Sequence, residues 1–360
     1  MVKTYAHRGE DNATLADLVI GRGLSCDKAE LLGILDAVGY YRFKGYLVPF
    51  YVVGSESFKT GTRLSDIWAV YNFDRNLREC VLSGIARLEV ALRAMIVRCA
   101  CQMDADPLAY TRDSFFPRLS AYERADLLLR IAKAVHQAKN EPFLEYAIKQ
   151  YGFSDLPPIW TMMEVIPMGT LIALYRGLPE SVQAAISNAF HVRPAIFVGW
   201  FTLIRKVRNV CAHHGRLWNR HIQNPLTHKV GSAAELAGIE ECIKAQRSTS
   251  YSTVFTAVSV VAYLMSVVRP QSKWRERCRA LLQSADPFVL NGMGFPQTGR
   301  CSRSGSEGCG SVRRGRRVEC AAGVGGDGDR IGGERVSCLF ENQMKEWLYT
   351  MAFRFALEAP

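Results

Sequence analysis

The chain has 360 residues, of which 48% are hydrophobic and 22% charged, the balance of a globular protein with a full core rather than of a disordered or fibrous chain. Its formal charge of +11 and sequence pI near 9.2 select a polyanionic partner, nucleic acid or an acidic membrane surface. The opening MVKTYAHRGEDNATL lacks the apolar run of a secretory signal, and the 11 cysteines are scattered, so a cytoplasmic protein with free thiols is expected.

Residues 1–60 read as a first helical and aromatic region. Leu31, Leu32, Ile34, Leu35 and Val38 recur at helical spacing, and Gly39 supplies a stop. The stretch 40–50, YYRFKGYLVPF, closed by Pro49, reads as a short strand or an ordered loop. Tyr40, Tyr41, Arg42 and Lys44 combine rings and cations in the manner of single-stranded RNA sites, although packing of the aromatics accounts for the pattern more readily. Residues 65–101 carry a long helical pattern through Ile67, Val70, Tyr71, Asp74, Leu77, Val81, Ile85, Leu88, Leu92 and Met95, with Thr62 or Ser65 as its cap. Glu89 and Arg93 stand i, i+4 apart, the order of a surface ion pair. A second pattern covers 120–151 and ends at Gly152.

Pro157 and Pro158 break the chain before an apolar helix with Trp160, Met163, Ile166, Leu171 and Leu174, interrupted at Pro167 and Gly169. Further helices are predicted over 194–214 and 251–268. The run from Tyr251 to Val268 approaches membrane-span length, but Ser252, Thr253, Thr256, Ser259 and Ser266 mark it as a buried core helix, and no membrane partner is expected. Strand signals are few, so 61–290 reads as one all-α domain. Residues 291–338 turn to Gly, Ser, Arg and Cys with few large apolar groups, which predicts disorder. Residues 339–360 are apolar again and read as a short helix. GVGGDG at 323–328 has neither a strand before it nor a helix after it, which excludes a dinucleotide site.

One window stands apart. From Ser181 to Ala234 there is no Asp or Glu, while Arg193, Arg205, Lys206, Arg208, Arg216, Arg220 and Lys229 fall inside it with His191, His213, His214, His221 and His228. Clustered cations attract phosphates, and imidazole exchanges protons near neutral pH. On a helix over 197–214, Phe197, Trp200, Leu203, Ile204, Val207, Val210 and Cys211 share an apolar face. Arg205, Asn209 and His213 form an opposite stripe at i, i+4, i+8, with Arg208 at the border and Gly215 as the stop. Arg205, Lys206, His214, Arg216 and Arg220 are the expected phosphate contacts. The Arg–x4–His spacing alone selects nothing, because Arg216 and His221 repeat it. The pair His213–His214 has no carboxylate nearby in sequence, and no metal site is expected.

Four segments, LLGILDAVGYYRFKGYLVPF, FDRNLRECVLSGIARLEVALR, LPPIWTMMEVIPMGTLIALYRGLP and LIRKVRNVCAHHGRLWNR, resemble in that order the blocks of bacterial Abi-like proteins of the AbiD/AbiF type, abortive-infection proteins of phage defence within the HEPN superfamily. The resemblance spans roughly residues 10–297. It implies an all-α HEPN-type helical bundle whose Arg–Asn–x3–His signature assigns catalysis to Arg208, Asn209 and His213. It further implies a metal-independent endoribonuclease that needs no cofactor and acts as a homodimer, with two motifs meeting in one composite site. The alternative is a non-catalytic RNA-binding protein that holds a small regulatory RNA. Beyond MGFP at 293–296 the family often continues with a tryptophan-containing end. Here QTGRCSRSGSEG follows, and a frameshift or unrelated read-through after about Pro296 is expected.

Overall fold

The computed structural model describes residues 9–152, 156–223 and 252–295. The tail over 296–360, with its expected disorder, terminal helix and frameshift, lies outside the described residues, as do His228 and Lys229. Among the described residues there are 13 α-helices and no strand, so the fold is all-α, as the sequence predicts.

Helix α1 (Asn12–Gly21) starts where the Asp11 carboxylate accepts from the Thr14 N–H at 2.7 Å, and α2 (Lys28–Val38) where Asp27 does the same for Ala29 and Glu30. Gly39, at φ +77°, turns the chain into α3 (Tyr40–Leu47). The aromatic stretch is therefore helical rather than a strand or loop. Phe43, Tyr46 and Leu47 are buried at i, i+3, i+4, and Pro49 falls in the single 3-10 turn that follows.

The long pattern is one helix, α4 (Leu64–Met103), about 60 Å in length at 1.5 Å per residue. Its cap is neither Thr62 nor Ser65. The Arg63 N–H donates to Asp66 at 3.1 Å, and the Thr62 hydroxyl turns to the Lys59 carbonyl. Helix α4 is the axis of the molecule. Its apolar stripe from Ile67 to Ile96 is buried beneath the elements that follow.

The second pattern divides into α5 (Ala121–Gln137), opened by a Ser120–Glu123 capping box, and α6 (Pro142–Tyr151), opened by Pro142 and closed by left-handed Gly152. Pro167 separates α7 (Ile159–Val165) from α8 (Met168–Gly177), because it cannot donate the N–H that a continuous helix needs. Helices α9 (Glu180–Ala189) and α10 (Pro194–Ala212) complete the middle of the chain.

Helix α11 (Val254–Val268) is buried at every position from Val254 to Ser266, the core helix its composition predicts. Among the described residues no helix is long and apolar enough to cross a membrane. Helices α12 (Trp274–Gln283) and α13 (Pro287–Gly292) follow. Helices α3, α7, α8, α9, α10, α11 and α12 all pack on α4, and one hydrophobic core runs from Ala16 to Phe295.

Candidate active site

Helix α10 opens on Pro194 and buries Phe197, Trp200, Phe201, Leu203, Ile204, Val207 and Cys211 against α4, α8, α9 and α11. Its end is closed by backbone bonds. The His213 N–H donates to Asn209 at 3.0 Å, His214 to Cys211 at 3.0 Å, and Gly215 to Val210 at 2.8 Å. The left-handed residue is His214, at φ +56°, one position before the predicted glycine stop. A histidine in that region stores about 1 kcal/mol of backbone strain.

Asn209 and His213 are both exposed, and among the described residues neither side chain makes a hydrogen bond. Arg208 is half-exposed, and its Nε lies 3.8 Å from Glu89 Oε2 on α4. Glu89 is largely buried. Its other oxygen accepts from Arg93 at 2.6 Å, and Arg93 also donates to the carbonyls of Met163 and Ile166 at the junction of α7 and α8. The Glu89–Arg93 pair is thus a half-buried tether that holds Arg208 loosely, not an ion pair in open solvent.

The wider basic set divides. The Arg205 guanidinium lies against α8, where a Cβ on Gly169 would come within 3.0 Å of it, and its Nε is buried with no partner among the described residues. Lys206 donates to the Gln223 carbonyl at 2.6 Å. Arg216 donates to the Gly45 carbonyl and sits over the Tyr46 ring, 5.9 Å from its centre. These three cations are engaged in holding backbone and packing. His214 and Arg220 remain exposed beside His213, with Arg220 donating to the Arg216 carbonyl at 3.2 Å.

The turn after α10 is fixed by Asp74, which is fully buried in α4. One carboxylate oxygen accepts from the backbone N–H groups of Leu217 at 3.1 Å and Trp218 at 2.7 Å. The other accepts from Tyr46 at 2.6 Å and from Arg78. Burial pushes the Asp74 carboxyl above its ordinary value, opposed by the Tyr46 hydrogen bond, the Arg78 charge and the two N–H donors. All four partners are donors, so the ionised form is the one this geometry uses. Arg42 adds a further bond from α3 to the His214 carbonyl. The Trp218 indole is held by the Val289 carbonyl at 2.9 Å.

Asp74 and the Arg208 tether escape a reading by local spacing. The available signal for Asp74 was a carboxylate at a position where the helix otherwise turns apolar side chains inward. Among the described residues no group of three or more His, Cys, Asp or Glu is placed to hold a metal ion.

A family model described as Abi-like protein matches residues 33–219, from α2 through the turn that carries Trp218. No curated protein and no solved structure matches the chain.

Proposed function

Because the chain belongs to the Abi-like protein family, we propose that it is an abortive-infection protein of the AbiD/AbiF type and HEPN superfamily that cleaves RNA without a metal ion. The observation that carries this reading is the end of α10, where Asn209 and His213 face solvent beside the loosely tethered Arg208 in a stretch of chain free of acidic residues. Such a group answers the needs of RNA transesterification. The ribose 2′-oxygen attacks phosphorus, the bond to the 5′-oxygen breaks, and one proton leaves the nucleophile as another reaches the leaving group. His213 carries the proton. Arg208 stabilises the negative charge that grows on the phosphoryl oxygens. Asn209 orients a phosphate oxygen or the imidazole. Glu89 is a positioning residue that keeps Arg208 aimed until a phosphate competes for it. Two such helix ends from two copies of the chain form the composite site, and the products are a 2′,3′-cyclic phosphate and a free 5′-hydroxyl.

The test is cleavage of total cellular RNA by the purified full chain with a chelator present. His213→Ala is expected to lower the rate by about 10² to 10⁴ and Arg208→Ala by about 10² to 10³. DNA is expected to resist, since it lacks the 2′-hydroxyl. Cleavage that persists unchanged in both variants refutes the site. Salt-sensitive binding without cleavage favours the RNA-holding alternative.

A further inference from the structure

We propose that Tyr41 is a base-stacking subsite for unpaired RNA beside the end of α10, an inference that rests on the RNA-cleaving reading and adds the substrate's form. Tyr41 is 93% exposed on a helix whose other aromatics are engaged. Phe43 and Tyr46 are buried, and Tyr40 packs on the core. A single exposed ring is ordinary on a protein surface; the position of this one is not. The next residue, Arg42, donates to the carbonyl of His214. Gly45, one turn along the face that carries Tyr41, accepts from Arg216. The two bonds clasp α3 to the turn at residues 214 and 216, and Tyr41 is the exposed residue that immediately precedes the first of them, on the stretch of α3 that borders this turn.

The surrounding charge is cationic. Arg42 is the next residue, Lys44 lies three residues on, and Arg216 reaches Gly45 one turn along. Bonds to carbonyl oxygens leave the charge of both arginines in place. An exposed π-face beside cations fits a nucleobase flanked by phosphates. A base inside a duplex has no free face to offer, so the ligand is RNA with an unpaired nucleotide next to the cleaved bond. Burial of Phe43 and Tyr46 within the same helix holds the Tyr41 backbone fixed, and little ordering is needed on binding.

The experiment uses the full chain carrying His213→Ala, so that RNA is bound but not turned over. Two labelled RNAs are titrated by fluorescence anisotropy, an unstructured oligonucleotide and a blunt duplex of matched charge. Tyr41→Ala is expected to weaken binding of the unpaired RNA about tenfold and to leave the duplex unchanged. Tyr41→Phe is expected to retain the parent affinity for both. Tyr41→Ala binding both RNAs as the parent does, or losing both equally, overturns the subsite. So does a Tyr41→Phe variant as weak as Tyr41→Ala, which would assign the effect to the hydroxyl. In each of those cases the RNA reading stands. A parent that binds neither RNA at low salt overturns the RNA reading together with the subsite.

Discussion

Asp74 joins the motif turn to the molecular axis through four donors at one buried carboxylate. Asp74→Ala would leave the Arg78 guanidinium without its counter-charge, and two backbone N–H groups unpaired, in the interior. Such a loss costs about 3–5 kcal/mol, and the urea midpoint of the full chain is expected to fall accordingly with no change in slope. A change in slope alone would place the effect in the unfolded state. Cys211 is a second residue whose surroundings set its chemistry. Burial pushes its thiol up to about 12, and it lies on the inner face of α10 directly behind the exposed motif. Iodoacetamide at pH 8 is expected to spare Cys211 in the folded protein and to modify it in urea, with peptide mass mapping as the readout. Equal rates in both states would contradict its burial.

Helix packing sets its own demands. Trp274 of α12 lies flat against Gly84 of α4, where an added Cβ would meet the indole at 2.7 Å, and its Nε1 donates to the Cys80 carbonyl at 2.7 Å. Gly84→Ala improves intrinsic helix propensity but forces these two helices apart. Overpacking of this kind costs about 1–3 kcal/mol, and the thermal midpoint is expected to drop. A rise would mean that Trp274 moves freely. The helices themselves were legible in the sequence wherever an apolar period ran long enough, as in α4 and α10. Helix α3 was not, because Tyr40, Tyr41 and Phe43 carry strand-favouring side chains that mask the three buried positions Phe43, Tyr46 and Leu47. The break between α5 and α6 was hidden for a different reason. Pro142 opens a helix as readily as it ends one, and the apolar period continues on both sides of it.

Across the molecule, three buried tyrosines respond to alkali together. Burial raises Tyr46, Tyr110 and Tyr175, the last to about 12. In the unfolded chain each phenol ionises near pH 10. The folded pKa lies above the unfolded one, so the stability is complete below pH 10 and is lost as pH rises toward the folded value. Each phenol removes about 1.4 kcal/mol per pH unit in that window. A thermal midpoint that falls steeply above pH 10, with phenolate absorbance lagging until the helices melt, is the expected result. A flat midpoint up to pH 12 would show that these rings ionise while folded. The same long-range view explains what the sequence concealed about the candidate site. Arg208, Asn209 and His213 are neighbours in the chain and could be read there. Glu89 reaches Arg208, and Asp74 the turn at Leu217 and Trp218, from a helix more than a hundred positions earlier, and no local pattern records those meetings. Nor does spacing reveal that Arg205, Lys206 and Arg216 are turned to packing and backbone carbonyls instead of solvent.

The clasp around the motif turn also governs when that turn takes shape. Its bonds span 143 and 144 positions to Asp74, 171 to Gly45 and 172 to Arg42. Helix α10 can wind from local bonds within microseconds, whereas contacts of such separation close late. As the chain leaves the ribosome, Arg42, Gly45 and Asp74 emerge long before His213. The Trp218 indole waits a further 71 positions for its acceptor at Val289. The setting of His213 is therefore among the last parts of the molecule to be finished, and a nascent chain carries the motif well before it carries the architecture around it.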